Sequence, residues 1–288
     1  MKNFLILVVA SVSIAGHTPA NADPRTDLQE FRAFFAQKFP TVKFEDYSKG
    51  FIVLPGLEEY KTQWDTINEL SPHEIGVAEG VKLWETPFVN GKTFAGCFKN
   101  GGKNIAQGYP YWDKPTQKVR TAEMDLLDCM GKNDPALATQ FKDLKTEAVR
   151  VRFAGLVAAF YSLSTGQKAN IDLSDPDARA AYEDGKKSWW SRRGQLNFSC
   201  SNCHMDLAGK NFGGNQPLSA GLGHPLGWPG QRGLWERLEL VHFRYQTCNS
   251  QVRAKPFELL SETYNNLQLY ETYMSSGIPL TAPSYRGY

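Results

Sequence analysis

The chain has 288 residues, with 32 Lys and Arg against 30 Asp and Glu. That length exceeds one typical domain and makes two the expectation. The near-balance of charge removes the electrostatic case for nucleic-acid binding, so any anion must be held by a few placed residues.

Residues 1–22, "MKNFLILVVASVSIAGHTPANA", carry Lys2, an apolar run from Phe4 to Ala15 and the small-residue pattern Ala20-Asn21-Ala22. This reads as a secretory leader, with the mature chain starting at Asp23. The run is too short to span a bilayer, and no later stretch qualifies as a membrane span. An exported chain meets oxidising conditions, which for a bacterial protein means the periplasm.

Beyond the leader the signals are helical. Asp27 and Glu30 stand at capping-box spacing before Phe31, Phe34 and Phe35, which share a helix face. Residues 148–163, "AVRVRFAGLVAAFYSL", are apolar-periodic and long enough for a helix. The polar stretch "GQKANIDLSDP" at 166–176 reads as a boundary, and its Ser174-Asp175-Pro176 supplies a cap and an N1 proline for a helix over 177–190. Two more helices are expected over 233–251, "GLWERLELVHFRYQTCNSQ", and 264–274, "YNNLQLYETYM". Nothing alternates cleanly for more than a few residues, so the expected fold is all-α.

Two stretches repeat. "EGVKLWETPFVNGKTFAGCFKNGGKN" at 79–104 and "DGKKSWWSRRGQLNFSCSNCHMDLAGKN" at 184–211 share an acid-Gly pair, a Trp four residues on, a Gly before the Cys and a closing Gly-Lys-Asn. Each is followed by a further cysteine, Cys129 or Cys248, and later by a helix ending in similar residues, "FYSLSTG" and "TYMSSG". Similarity on this scale implies duplication into two cytochrome c-like domains, 23–172 and 173–288.

The second copy contains Cys200-Ser201-Asn202-Cys203-His204. Two thiols at this spacing followed by a histidine attach a c-type haem, with His204 on the iron. The first copy has Lys99-Asn100-Gly101 at the corresponding place and cannot hold a haem by that chemistry, so one covalent haem is expected. Five cysteines in an exported chain leave Cys97, Cys129 and Cys248 unassigned. By the repeat, Cys129 points into the space of a missing haem beside Cys97, and a Cys97–Cys129 disulfide is expected, with two free buried thiols as the alternative.

The sixth iron position separates electron carriage from chemistry. Its candidates are Met205, His224, His242, Cys248 and Met274. Met205 adjoins His204 and cannot reach the opposite face. Met274 would give an electron-transfer cytochrome, but it reads equally as a core residue spaced with Leu267 and Tyr270. His224 lies in the turn-rich "GLGHPLGWPG", and His242 is off the helical face of Cys248. Cys248 is favoured, as the leftover thiol with a cysteine at the matching point of the first copy; a buried structural thiol is the alternative. Helical spacing puts Arg244 one turn earlier on its face. Thiolate ligation lowers an iron's potential, and a guanidinium fork suits an oxyanion, although Arg244 could instead pair with a haem carboxylate.

These segments, "RRGQLNFSCSNCHMDLAGKN" at 192–211, "FRYQTCNSQVRAKPF" at 243–257, "YMSSGIPLTAPSYR" at 273–286 and "GYPYWDKPTQKVRTAEMDLLDC" at 108–129, resemble the SoxA family, the catalytic cytochrome subunit of the SoxXA thiosulfate-oxidation complex. The resemblance covers essentially the whole mature chain and points to the single-haem form. It implies an L-cysteine S-thiosulfotransferase in which Cys248 ligates the haem and carries a persulfide sulfur, while Arg244 binds substrate. It further implies a heterodimer with a small SoxX-like cytochrome, a SoxYZ-like sulfur carrier that receives thiosulfate, and a c-type cytochrome as electron acceptor. A thiosulfate dehydrogenase-like cytochrome, which joins two thiosulfates without a carrier, is the other thiolate-ligated reading.

Overall fold

Asp-Pro dipeptides start three helices. In a computed structural model, which describes residues 23–212, 216–233 and 235–287, they open α1 (Pro24–Lys38), α5 (Pro135–Gln140) and α7 (Pro176–Trp190). The carboxylates of Asp23, Asp134 and Asp175 accept from the backbone N–H of Arg25, Leu137 and Asp177 at 3.3, 2.9 and 2.8 Å. Each proline follows at the position where a missing N–H costs nothing. The sequence-based cap of α7 is therefore observed, whereas α1 begins upstream of the Asp27–Glu30 spacing. Asp27 lies inside its first turn and accepts from Tyr182 Oη at 2.8 Å and Lys186 Nζ at 2.6 Å. The leader assigned to residues 1–22 lies outside the described residues.

Two helix crossings organise the molecule. α3 (His73–Glu85) packs on α6 (Glu147–Ser162), and α7 packs on α9 (Glu262–Met274). A Cβ on Gly80 would fall 1.8 Å from the carbonyl oxygen of Gly155, and one on Gly185 would fall 2.0 Å from that of Asn266. Glycine is required at both crossings because the backbones themselves touch. One turn after each glycine comes a buried tryptophan. Trp84 stacks on Phe94 with centroids 5.7 Å apart, and Trp189 lies 6.1 Å from Phe31 and 6.1 Å from Tyr270. The sequence repeat is thus a repeat of one crossing.

The remaining helices are α2 (Glu58–Asn68), α4 (Ala122–Asn133) and α8 (Val241–Gln251). Short strands brace the loops. β1 (Tyr111–Asp113) pairs antiparallel with β2 (Lys118–Arg120), and β3 (Asn211–Phe212) with β4 (Gln216–Pro217). β5 (Gly230–Gln231) lies between antiparallel β6 (Leu238–Glu239) and parallel β7 (Ser284–Tyr285). The single helix expected over 233–251 is corrected here, because its first part is strand β6 and the helix begins at Val241. The cause is tertiary. Glu239, fully buried, receives Arg150 Nε and Nη2 at 2.7 and 2.9 Å, an anchorage that a helix through this segment would lose.

The two halves interlock. Residues 166–169 pair with 277–280 through Gly166 N to Leu280 O at 2.9 Å and Gly277 N to Ala169 O at 2.7 Å. Both glycines that follow the similar helix ends have φ near +85°, at +84° and +85°. α1, although first in the chain, lies against α9 and Trp189 of the second half.

In the first half Cys97 and Cys129 form a disulfide across 32 residues of sequence. Asn100 and Gly101 follow it in left-handed conformation, φ 55° and 62°, where the second copy places Cys203 and His204. Trp84, Phe94, Phe98 and Phe160 fill the adjoining interior with ring contacts of 5.0–6.0 Å.

Removing the disulfide as Cys97→Ala/Cys129→Ala is expected to lower unfolding free energy by about 2–4 kcal/mol in denaturant titration, the range for a crosslink closing a loop of this size. Gly80→Ala should cost about 2–3 kcal/mol by overpacking the α3–α6 crossing. Gly131→Ala, in α4 with open space around the added methyl, should change stability by less than about 1 kcal/mol and in the favourable direction.

Candidate functional site

The turn that carries Cys200 and Cys203 is closed by its own polar side chains. Ser199 N donates to Asn202 Oδ1 at 3.0 Å, and Asn202 N donates to Ser199 Oγ at 3.2 Å. The next residue but one from Asn202, His204, is buried, and its Nδ1 sits 3.0 Å from the carbonyl oxygen of Ser219. A carbonyl accepts only, so Nδ1 carries the proton and Nε2 keeps its lone pair. Burial, reinforced by His224 and Arg244, pushes the His204 imidazole down to about 3, so the ring is neutral across the physiological range. A neutral imidazole is what a metal ligand needs.

α8 supplies the facing wall. Arg244 and Cys248, one helical turn apart, both line a cavity with Cys200, Cys203 and His204. Trp189, Phe198, Leu218, Val252 and Leu267 make its apolar surface. Burial pushes the Cys200 thiol well up and that of Cys203 up to about 11, so both remain un-ionised. Among the described residues no three His, Cys, Asp or Glu side chains converge tightly enough to hold a bare metal ion. Two thiols, a neutral imidazole and an apolar chamber between them and Cys248 instead form the donor set and the space that a haem requires.

Glu271 and Tyr245 complete the chamber. Burial raises the Glu271 carboxyl to about 7, while Tyr245 Oη donates to it and His224 Nδ1 lies 3.4 Å away. His224 itself packs 4.9 Å from the His204 ring, so its loop belongs to the site rather than the surface. Neither Glu271 nor Tyr245 is singled out by sequence, since both sit in helices whose periodicity speaks only of core. The one available signal is the density of polar residues in α9, where Asn265, Asn266, Gln268 and Glu271 are all buried.

The other ligand candidates are elsewhere. Met205, His242 and Met274 are buried but do not line the cavity. His242 accepts from Leu260 N at 3.1 Å on Nδ1 and meets Gln268 Oε1 at 3.0 Å on Nε2, which occupies both nitrogens. Met274, 0% exposed, is a core methionine of α9.

Known proteins share this organisation. Residues 79–169 match the family described as SoxA/TsdA, cytochrome c domain. Over 275 residues the chain is 36% identical to the L-cysteine S-thiosulfotransferase subunit SoxA of Chlorobaculum tepidum, covering 93% of this chain and 92% of the relative. The corresponding subunit of Allochromatium vinosum is 34% identical over 284 residues, covering 98% and 96%. The crystal structure of SoxXA from P. pantotrophus superposes with a TM-score of 0.70 over 88% of this chain and 90% of that one, at 23% identity, and shows the same fold. The cytochrome c match covers the copy without CxxCH, which identifies that half as a cytochrome c domain in its own right. With relatives this similar over nearly its whole length, the chain belongs to the SoxA family.

Proposed function

We propose that this protein is the catalytic subunit of a periplasmic thiosulfate-oxidising complex, an L-cysteine S-thiosulfotransferase. The observation that carries the reading is the placement of Arg244 and Cys248 on one turn of α8, opening onto the cavity that also holds Cys200, Cys203 and His204. The relatives' names support it. The two halves divide near residues 172 and 173, and only the second carries the cofactor.

In this reading Cys200 and Cys203 would hold one haem covalently, and His204 and Cys248 would supply the ligands to its iron. The haem, once bound, supplies a one-electron sink beside the reacting sulfur. The chain's own residues do the rest. Ser219 O fixes the imidazole tautomer of His204 through the 3.0 Å contact. Arg244 presents a guanidinium fork to the sulfonate end of thiosulfate, which carries the charge of the dianion. Cys248, as thiol or persulfide, offers the sulfur to which thiosulfate is joined by a new S–S bond, and the carrier thiol then displaces it, taking the whole thiosulfate group and returning Cys248 to its starting state.

The net reaction joins a carrier cysteine to thiosulfate. RSH and S₂O₃²⁻ give RS–S–SO₃⁻, one proton and two electrons. The electrons leave singly, which calls for a small SoxX-like cytochrome as heterodimer partner and a c-type cytochrome as final acceptor. The carrier is a SoxYZ-like protein that brings its cysteine to Cys248. Met274, buried in α9 away from the cavity, gives no support to a methionine-ligated electron carrier.

Intact mass of the exported protein should exceed the mature polypeptide by one haem; a shift equal to two would show attachment in the first half. Low-temperature EPR of the oxidised protein should give the low-spin signal of His–thiolate ligation. Cys248→Met should fold, keep its haem and move to a higher reduction potential, while coupling of thiosulfate to the carrier falls at least ~100-fold. Retained coupling in that variant would place the chemistry elsewhere.

Arg244→Lys keeps the charge but loses the planar fork. It should lower kcat/KM for thiosulfate about 10- to 100-fold, a loss of roughly 1.4–2.7 kcal/mol, with the haem spectrum little changed. A wild-type rate would remove the substrate role from Arg244.

A further inference from the structure

A second cavity adjoins the first. It shares His204, His224 and Arg244 with its neighbour but none of the cysteines. Arg232, Arg244 and Arg286 all line it, and among the described residues no Asp or Glu does. These arginines are 7, 6 and 7% exposed. Three guanidinium groups buried around one space make a strongly positive chamber, suited to an anion.

The chamber is built rather than incidental. The Arg286 side chain runs through a slot of three glycines, since a Cβ on Gly50, Gly227 or Gly230 would fall 2.9, 1.9 or 2.7 Å from it. Arg286 Nη1 donates to Ser48 O at 2.6 Å, and its guanidinium lies 5.9 Å from the Trp228 ring centroid. Trp228 lines the same space, and its buried Nε1 has no acceptor among the described residues. Burial and then the neighbouring Arg244 lower Arg232 to about 9 and Arg286 to about 10, as expected where cations face one another.

The relation of the two cavities names the anion. A haem joined through one edge to Cys200 and Cys203, and centred on His204, has its two carboxylates on the opposite edge. That edge falls on the side of His204 away from the cysteines, where the second cavity begins. We propose that the second cavity binds the two haem carboxylates, with Arg286, Arg232 and Trp228 Nε1 as donors. This rests on the covalent haem of the proposed function. Arg286 and Trp228 are positioning residues, because they set the plane of the haem against Cys248 without touching the reacting sulfur.

Resonance Raman spectroscopy of the holoprotein reads the carboxylate contacts directly, through the bending modes of the haem propionates. Arg286→Gln is expected to shift a propionate bending mode by several wavenumbers, with haem mass and Cys248 ligation retained. Trp228→Phe, which keeps the ring but deletes the N–H, should give a smaller shift of a propionate mode. If Arg286→Gln does not accumulate as haem protein, Arg232→Gln and Trp228→Phe carry the same test. Propionate modes unmoved in these folded, haem-bearing variants overturn the assignment. So does a tenfold or greater rise in the KM for thiosulfate with those modes unmoved, which would make the chamber a site for the free anion. A wild-type protein whose mass shows no haem would instead overturn the proposed function.

Discussion

The contact of α7 with α9 at Gly185 determines where the site can be. With no side chain at Gly185, the helix backbones approach until the carbonyl of Asn266 occupies the place of a Cβ. From that crossing Trp189 projects into the cavity from α7, and Glu271 projects into it from α9. The haem-binding turn is then held against this frame. Trp189 lies 6.1 Å from the His204 ring, and Gly221 N donates to His204 O at 2.7 Å. A larger residue at 185 would move both walls of the chamber at once, since interiors packed to this density transmit displacement rather than absorb it.

The first half repeats the crossing and carries there a disulfide and a cluster of aromatic rings. Its remaining influence on the site passes through a few polar contacts. Arg150 of α6 reaches Glu239 at the end of β6, two residues before α8 begins, and its guanidinium stacks 3.9 Å from the Phe243 centroid. A buried ion pair of this kind adds little net stability over an apolar replacement, yet removing one partner costs about 3–5 kcal/mol. Its effect is positional, because it fixes the start of the helix that carries Arg244 and Cys248. Ser48 does the same for Arg286 from the other side of the molecule. The first copy thus bears on the second copy's site through backbone and side-chain contacts.

What could be read from the sequence was local. An Asp-Pro pair caps a helix with atoms two or three residues away, and Cys200-Ser201-Asn202-Cys203-His204 fits on one turn. Arg244 and Cys248 are one helical turn apart, so their common face followed from spacing alone. The disulfide was legible because the duplication supplied a template for Cys129. The failures have the opposite character. Strand β6 replaced the front of an expected helix because Arg150, 89 residues away, claims Glu239. The glycine slot of Arg286 joins positions as far apart as 50 and 286 and leaves no periodic trace. Glu271 looked like one more residue of a core helix, and only the fold turns it toward His224.

Arg244 stands on the border of both cavities, and this bears on how one cation can be reserved for substrate. Were Arg232, Arg244 and Arg286 to share the chamber alone, their mutual repulsion would weaken all three as cations. With the two haem carboxylates set against Arg232 and Arg286, that repulsion is offset within the second cavity. Arg244 is then the guanidinium whose charge remains uncompensated, and it stands one turn from Cys248 on the same wall of the first cavity. A dianion entering there meets one localised positive group next to the sulfur with which it must react, and not a diffuse field that would hold it at any depth. On this arrangement the cofactor's acid groups and the substrate's charge are sorted by geometry. The residue that separates them is the arginine one turn before Cys248.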